Sequence, residues 1–186
     1  LQTSGLEKDK VGITEYIGEK LPGNITLLDS SNKIVTLDDF YSENKPILVN
    51  LVYFNCPLLC SQILESLTDS LQRLTLPISE KFKVLTISFD PKDTISHSQA
   101  YKSNYISKLN KEGANENWHF LTANQENITQ ITSALGFNYT YDETLKEYLH
   151  TSTLFILTPS GKISRYIYGI EFDPFNLKLS LLEASK

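Results

Sequence analysis

The sequence of 186 residues contains no methionine, two cysteines and one tryptophan, and its 17 basic residues include two arginines. Without methionine the domain supplies no thioether ligand to a soft metal. Two cysteines cannot build the dense framework of a disulfide-stapled scaffold. No apolar run reaches the ~18 residues that a membrane-crossing helix needs, and the longest dense stretch, Pro46 to Phe54, is strand-sized. Net charge is −5 and no basic block occurs, which disfavours nucleic acid as a partner. Glycine-rich phosphate loops, internal repeats and low-complexity segments are also missing. What is present is 40% apolar and 21% charged residues, ordinary globular usage and enough for one sizeable core in one domain.

Residues 1–20 are mixed polar, with apolar anchors at Val11, Ile13 and Ile17, and read as a leader that links to a signal or membrane anchor lost from this sequence. Residues 21–186 form the domain. Ile25–Leu28 and Lys33–Leu37 flank the turn formers Asp29-Ser30-Ser31-Asn32, a hairpin signal. Ile47–Phe54 is β-branched and almost continuously apolar, as a strand buried on both faces should be. After Cys56-Pro57, apolar residues recur at three and four through Leu74 and predict a helix ending before Pro77. Phe82–Phe89 reads as a second buried strand, Asp93-Thr94 as the start of a polar helix running to about Asn110, and Trp118–Leu121 as a short strand. Gln125–Leu135 reads as a helix stopped by Gly136. Thr153–Leu157 and Ile163–Tyr168 flank Thr158-Pro159-Ser160-Gly161 as a second hairpin, and a last helix starts after Asp173-Pro174. An N-terminal hairpin, then strands alternating with helices, then an antiparallel hairpin predict an α/β fold with a mixed sheet flanked by helices. This is the order of a thioredoxin-like fold.

The chemistry concentrates in Cys56-Pro57-Leu58-Leu59-Cys60. Positions i and i+4 share a helix face, so both sulfurs can address one site. Pro57 suits a first helical turn, which places Cys56 at the helix N-terminus, where unpaired N–H groups favour the thiolate. The preceding strand delivers the pair to the carboxyl edge of the sheet, where open α/β sheets bind ligands. Two buried core cysteines are the alternative, but that does not explain why both fall at one strand-to-helix junction.

Of the three histidines, His97 lies in a polar helical turn and His119 beside Trp118 in a strand. His150 precedes Thr153–Leu157; if that strand runs antiparallel to Ile47–Phe54, His150 stands over the cysteine pair. The alternative is a loop histidine with a local hydrogen bond. Two sulfurs and one imidazole suit Cu(I), and with a further ligand Cu(II) or Zn(II). A closed zinc site normally needs four protein ligands, and there is no second cysteine pair.

These residues resemble the Sco/SenC family of copper proteins, involved in assembly of cytochrome c oxidase. The resemblance rests on Cys56 and Cys60 after an apolar strand, on Ser88-Phe89-Asp90-Pro91-Lys92-Asp93-Thr94, on His150, on Thr158-Pro159-Ser160-Gly161-Lys162-Ile163 and on Tyr168-Gly169. It implies a thioredoxin-like fold and one copper per chain, Cu(I) or Cu(II), bound by Cys56, Cys60 and His150. Asp90 matches an acidic residue near the site and would stand behind the ligands, or simply cap the turn before Pro91. An extracytoplasmic, periplasmic or intermembrane-space location with a membrane tether is implied as well. The residues between the cysteines, Pro57, Leu58 and Leu59, depart from the pattern frequent in the family and resemble a bacterial branch.

Three functions compete. A metallochaperone would pass copper to the dinuclear copper centre of cytochrome c oxidase subunit II, with other copper donors or thiol reductants as further partners. A thiol-disulfide oxidoreductase would use Cys56 and Cys60 as a redox pair to reduce the cysteines of a copper-site partner. A thiol peroxidase would need an arginine at the nucleophile, and neither Arg73 nor Arg165 is near Cys56 in sequence. Three Asn-x-Thr triplets, at Asn24, Asn127 and Asn138, read as chance, and the acidic Asp142, Glu143 and Glu147 before His150 read as a solvated loop face that can also attract cations.

Overall fold

The computed structural model describes residues 11–55 and 59–186, with the backbone alone for 59 and 60. In chain order the elements are β1 (Gly12–Ile13), β2 (Thr26–Leu28), β3 (Ile34–Thr36), β4 (Ile47–Val52), α1 (Leu59–Arg73), β5 (Lys83–Ser88), α2 (Ile95–Leu109), α3 (Ala114–Asn117), β6 (Trp118–Leu121), α4 (Gln125–Leu135), β7 (Phe137–Asn138), β8 (Thr140–Asp142), β9 (Glu147–Leu149), β10 (Thr153–Leu157), β11 (Ile163–Tyr168) and α5 (Pro174–Ala184).

Five strands form the main sheet in the order β11-β10-β4-β5-β6. β4, β5 and β6 run parallel, joined by crossovers through α1 and through α2 and α3, while β10 is antiparallel to both β4 and β11. All six residues of β4 are buried, because it is central in the sheet and covered on both faces. On one face Leu51, Ile87 and Phe89 meet Ile128 and Ile131 of α4. On the other, Trp118 packs against Tyr105 of α2, and α1 packs on both α2 and α5.

The predicted boundaries hold where side chains close the element. Thr94 caps α2, and Asn110 ends it in the left-handed conformation. Asn124 caps α4 by accepting from Asn127 N–H at 3.0 Å, and Asp173 caps α5 from Phe175 N–H at 3.1 Å. Gly136 has φ +71°, and an added Cβ would lie 1.7 Å from the carbonyl oxygen of Thr14. That glycine lets the N-terminal segment approach. β1 pairs with β7, and residues 18–21 bond to 161–163. Ile13 packs against the core in this segment, whereas Ile17 is 55% exposed and anchors nothing.

One polar chain crosses the core. Trp118 Nε1–H donates to Thr86 Oγ1 at 2.9 Å, and that hydroxyl donates to Asn50 Oδ1 at 2.6 Å. Asn50 Nδ2 is buried without a partner. Thr86→Val would leave the indole N–H and the Asn50 oxygen unpaired as well. It is expected to lower stability by about 2–6 kcal/mol, at about 1–3 kcal/mol for each of the two orphaned groups. Urea unfolding checks this, and an unchanged midpoint would show that the chain adds nothing.

Candidate metal centre

The site lies at the carboxyl edge of β4. Leu154 pairs with Asn50 and Phe155 with Val49, so β10 begins where β4 finishes. This antiparallel pairing brings His150 back over the strand that leads to the cysteines. Its ring centroid is 6.0 Å from that of Tyr53, 5.1 Å from Phe89 and 6.0 Å from Phe137. The ring is half-buried, and Nδ1 lies 3.0 Å from the Thr151 carbonyl oxygen. A carbonyl only accepts, so Nδ1 carries a proton, and in the neutral ring the lone pair then belongs to Nε2. The local hydrogen bond expected of an ordinary loop histidine is therefore present, and it holds the ring in one orientation.

On the cysteine side, Phe54 N–H donates to Asp93 Oδ2 at 2.6 Å, and Phe54 O accepts from Tyr101 Oη–H at 2.6 Å. Asn55 is exposed, and α1 begins at Leu59 with Cys60 as its second residue. The expected strand-to-helix junction is where the sequence placed it. Cys56, and with it Pro57 in a first helical turn, lies outside the described residues, as does the direction of the Cys60 side chain. Among the described residues no three His, Cys, Asp or Glu groups form a ligand set.

Asp90 is buried, and its Oδ1 accepts from Lys92 N–H at 2.9 Å and from the Tyr148 hydroxyl at 3.3 Å. Asp90 thus closes its own turn, and it also reaches the hairpin that precedes His150. Tyr148 titrates above its ordinary value, through burial first and then the charge of Asp90. Asp93 is raised by burial, against which the Ser88 and Phe54 hydrogen bonds pull down.

The other histidines stay apart. His97 Nδ1 accepts from Thr94 N–H at 3.1 Å in the helix cap, and its side chain is 44% exposed. His119 sits mid-strand opposite Leu85, packed on Phe40 at 4.7 Å, and burial pushes it down to about 4.

Two features escaped the sequence. The β8–β9 hairpin that carries His150 has only partly buried or exposed strands and turns at Lys146 with φ +54°, a position that usually announces itself as Gly or Asn. The aromatic box of Tyr53, Phe89, Phe137 and Tyr148 is drawn from four separate elements, so no local spacing reveals it.

Parallel strands with helical crossovers, an antiparallel β10–β11 hairpin and helices on both faces make this a thioredoxin-like α/β protein, with a histidine returned to the sheet edge at which β4 ends. A family profile described as SCO1/SenC matches residues 16–177, and the chain belongs to that family. It is 26% identical over 174 residues to the mitochondrial protein SCO1 homolog 2 of Arabidopsis thaliana, covering 91% of this chain and 59% of that protein's length. A crystal structure of a putative electron transfer protein from Aquifex aeolicus superposes with a TM-score of 0.79 at 27% identity, covering 91% of this chain and 94% of the other. The copper-bound structure of Arabidopsis thaliana ScoI gives a TM-score of 0.68 at 18% identity, covering 91% and 98%, a likeness of fold.

Proposed function

We propose that the protein binds one copper ion through Cys56, Cys60 and His150 and delivers it during assembly of cytochrome c oxidase, to the dinuclear copper centre of subunit II. The observation that carries the reading is the placement of His150 at the cysteine-bearing edge, with Nδ1 tied to Thr151 O and Nε2 as the lone-pair nitrogen. Family membership supports it, and so does the copper found in a protein of the same fold. Two thiolates suit Cu(I), and the imidazole adds a third donor acceptable to Cu(II). Transfer proceeds by exchange of these thiolates for the thiols of the receiving site. The reading includes an extracytoplasmic location with a membrane tether. Among the described residues no helix is long and apolar enough to cross a membrane.

Reduced protein loaded with copper and measured by native mass spectrometry is expected to carry one copper per chain. Cys56→Ser and Cys60→Ser should each lose Cu(I) to a competing chelator about 100-fold or more faster, since one of the two soft thiolates is replaced and only a thiolate and an imidazole remain. Zero or two tightly held coppers in the parent protein, or full retention in both variants, would overturn the reading.

A second reading is favoured by the start of α1 at Leu59, the next element after β4 and one residue before Cys60, since a thiol at a helix N-terminus gains thiolate character. A thiolate of the pair would attack a partner disulfide, and the second cysteine would displace the partner as a dithiol, leaving a Cys56–Cys60 disulfide for an external thiol to reduce. Reduction of a model disulfide by copper-free protein measures this directly.

A further inference from the structure

The turn from Ser88 to Thr94 touches both arms of the site. On the cysteine arm, Asp93 Oδ2 accepts from Phe54 N–H at 2.6 Å, two residues before Cys56, and Phe89 N–H donates to Val52 O at 2.8 Å. On the histidine arm, Asp90 Oδ1 accepts from the hydroxyl of Tyr148, two residues before His150. Between them the Phe89 ring meets Tyr53 at 5.5 Å and His150 at 5.1 Å.

We propose that this turn braces the copper site, with Asp93 as the positioning residue that fixes the cysteine arm; the proposal rests on the copper reading above. Asp93 does not serve as the cap of α2, because Thr94 holds that position and His97 completes the capping box. Its side chain is instead 1% exposed, a costly place for a carboxylate unless its hydrogen bonds are specific. Those bonds are specific: Oδ2 takes both Phe54 N–H and the Ser88 hydroxyl, each at 2.6 Å. Tyr101 holds the carbonyl of the same residue, so both polar groups of Phe54 are gripped by side chains from the α2 side of the sheet. A backbone held at both its donor and its acceptor resists rotation, so the chain two residues before Cys56 is fixed to the same turn that holds Tyr148 on the histidine arm. Residues that orient ligands in this way typically control metal affinity by about 10–100-fold.

The test compares Cu(II) release to a chelator, the thiolate-to-copper absorption band and urea unfolding in four proteins. Asp93→Ala is expected to release Cu(II) at least about tenfold faster and to shift the band. Asp93→Asn keeps an acceptor oxygen for Phe54 and Ser88, and it should stay within about threefold of the parent, which separates the clamp from the charge. Thr86→Val is destabilised in the same sheet, but its hydrogen bonds go to Asn50 and Trp118 and to neither Phe54 nor Asp93, so it should release copper at the parent rate. If Asp93→Ala does not fold, Tyr101→Phe removes the other half of the clamp and should also release copper several-fold faster. A release rate equal to that of Thr86→Val in Asp93→Ala, or in Tyr101→Phe where Asp93→Ala does not fold, would overturn the brace while leaving the copper reading intact. If Cys56→Ser and His150→Ala retain copper, the copper reading fails by itself. The brace is then read from the dithiol: freeing the cysteine arm lets the disulfide relax, and Asp93→Ala should shift equilibrium with glutathione toward the Cys56–Cys60 disulfide by about tenfold. An unshifted equilibrium would then overturn it.

Discussion

His150→Ala is expected to release Cu(II) about 100-fold or more faster than the parent protein, while Cu(I) retention falls by no more than about tenfold. Two thiolates hold Cu(I) in linear geometry without help, whereas Cu(II) prefers additional nitrogen or oxygen donors. The substitution also removes a ring from the aromatic box, where the imidazole meets Phe89, Phe137 and Tyr53. Read as a loop residue, His150 would cost little stability when removed; half-buried among three rings, it should cost about 1–2 kcal/mol. His150→Phe separates the two roles. It restores an aromatic ring to the box without a donor nitrogen, so it should recover most of the stability and none of the Cu(II) retention. Chelator competition in each oxidation state, with urea unfolding of the metal-free proteins, gives all three quantities. Parent-like retention of both copper states in His150→Ala would remove His150 from the ligand set. Loss of disulfide reductase activity with copper retained would move the dithiol reading to first place, with the imidazole as its proton-transfer group.

The sequence made His150 findable for a topological reason. Residue type alone left three histidines, and antiparallel placement of Thr153–Leu157 beside Ile47–Val52 selected one, as the pairing of Leu154 with Asn50 confirms for the strands. The main strands and helices were legible because their signals are local: continuous apolar runs for β4 and β5, and caps at Thr94, Asn124 and Asp173. The β8–β9 hairpin was not legible. Thr140–Asp142 and Glu147–Leu149 bury too little to show alternation, and they are held by cross-strand pairing and by Tyr148 packing on Tyr53 and Phe89. Asp93 looked like a helix start because its neighbour is one. Only the fold shows its carboxylate turned inward to Phe54, 39 residues away in sequence. Local grammar thus reports elements and caps, and it is silent on contacts whose partners are contributed by other elements.

Lowering the pH of the reduced, metal-free protein from 7 to 4 is expected to cost up to about 3 kcal/mol of stability through His119 alone, and His119→Phe should recover that amount. The imidazole is packed on Phe40, and burial, with Lys102 and Lys83 nearby, pushes it from 6.5 to about 4; Asp29 pulls weakly the other way. Each unit of displacement is worth about 1.4 kcal/mol. The sign follows from proton counting. Between about 6.5 and 4 the unfolded chain binds a proton at this position and the native state does not, so stability is fully present above the unfolded value and falls as the pH drops. Asp93 acts in the opposite direction: burial raises it, so the native state takes up its proton first and gains stability as the pH falls. Carboxylates elsewhere titrate over the same range, and the parent curve mixes all of these. The difference between parent and His119→Phe isolates the imidazole. Urea midpoints at pH 7, 5.5 and 4.5 should converge at neutral pH, apart from a constant packing offset, and diverge in favour of the variant below pH 6. Parallel curves would mean that His119 takes up its proton in the native state as readily as in the unfolded chain, and that the packing of Phe40 against the ring opens under mild acid.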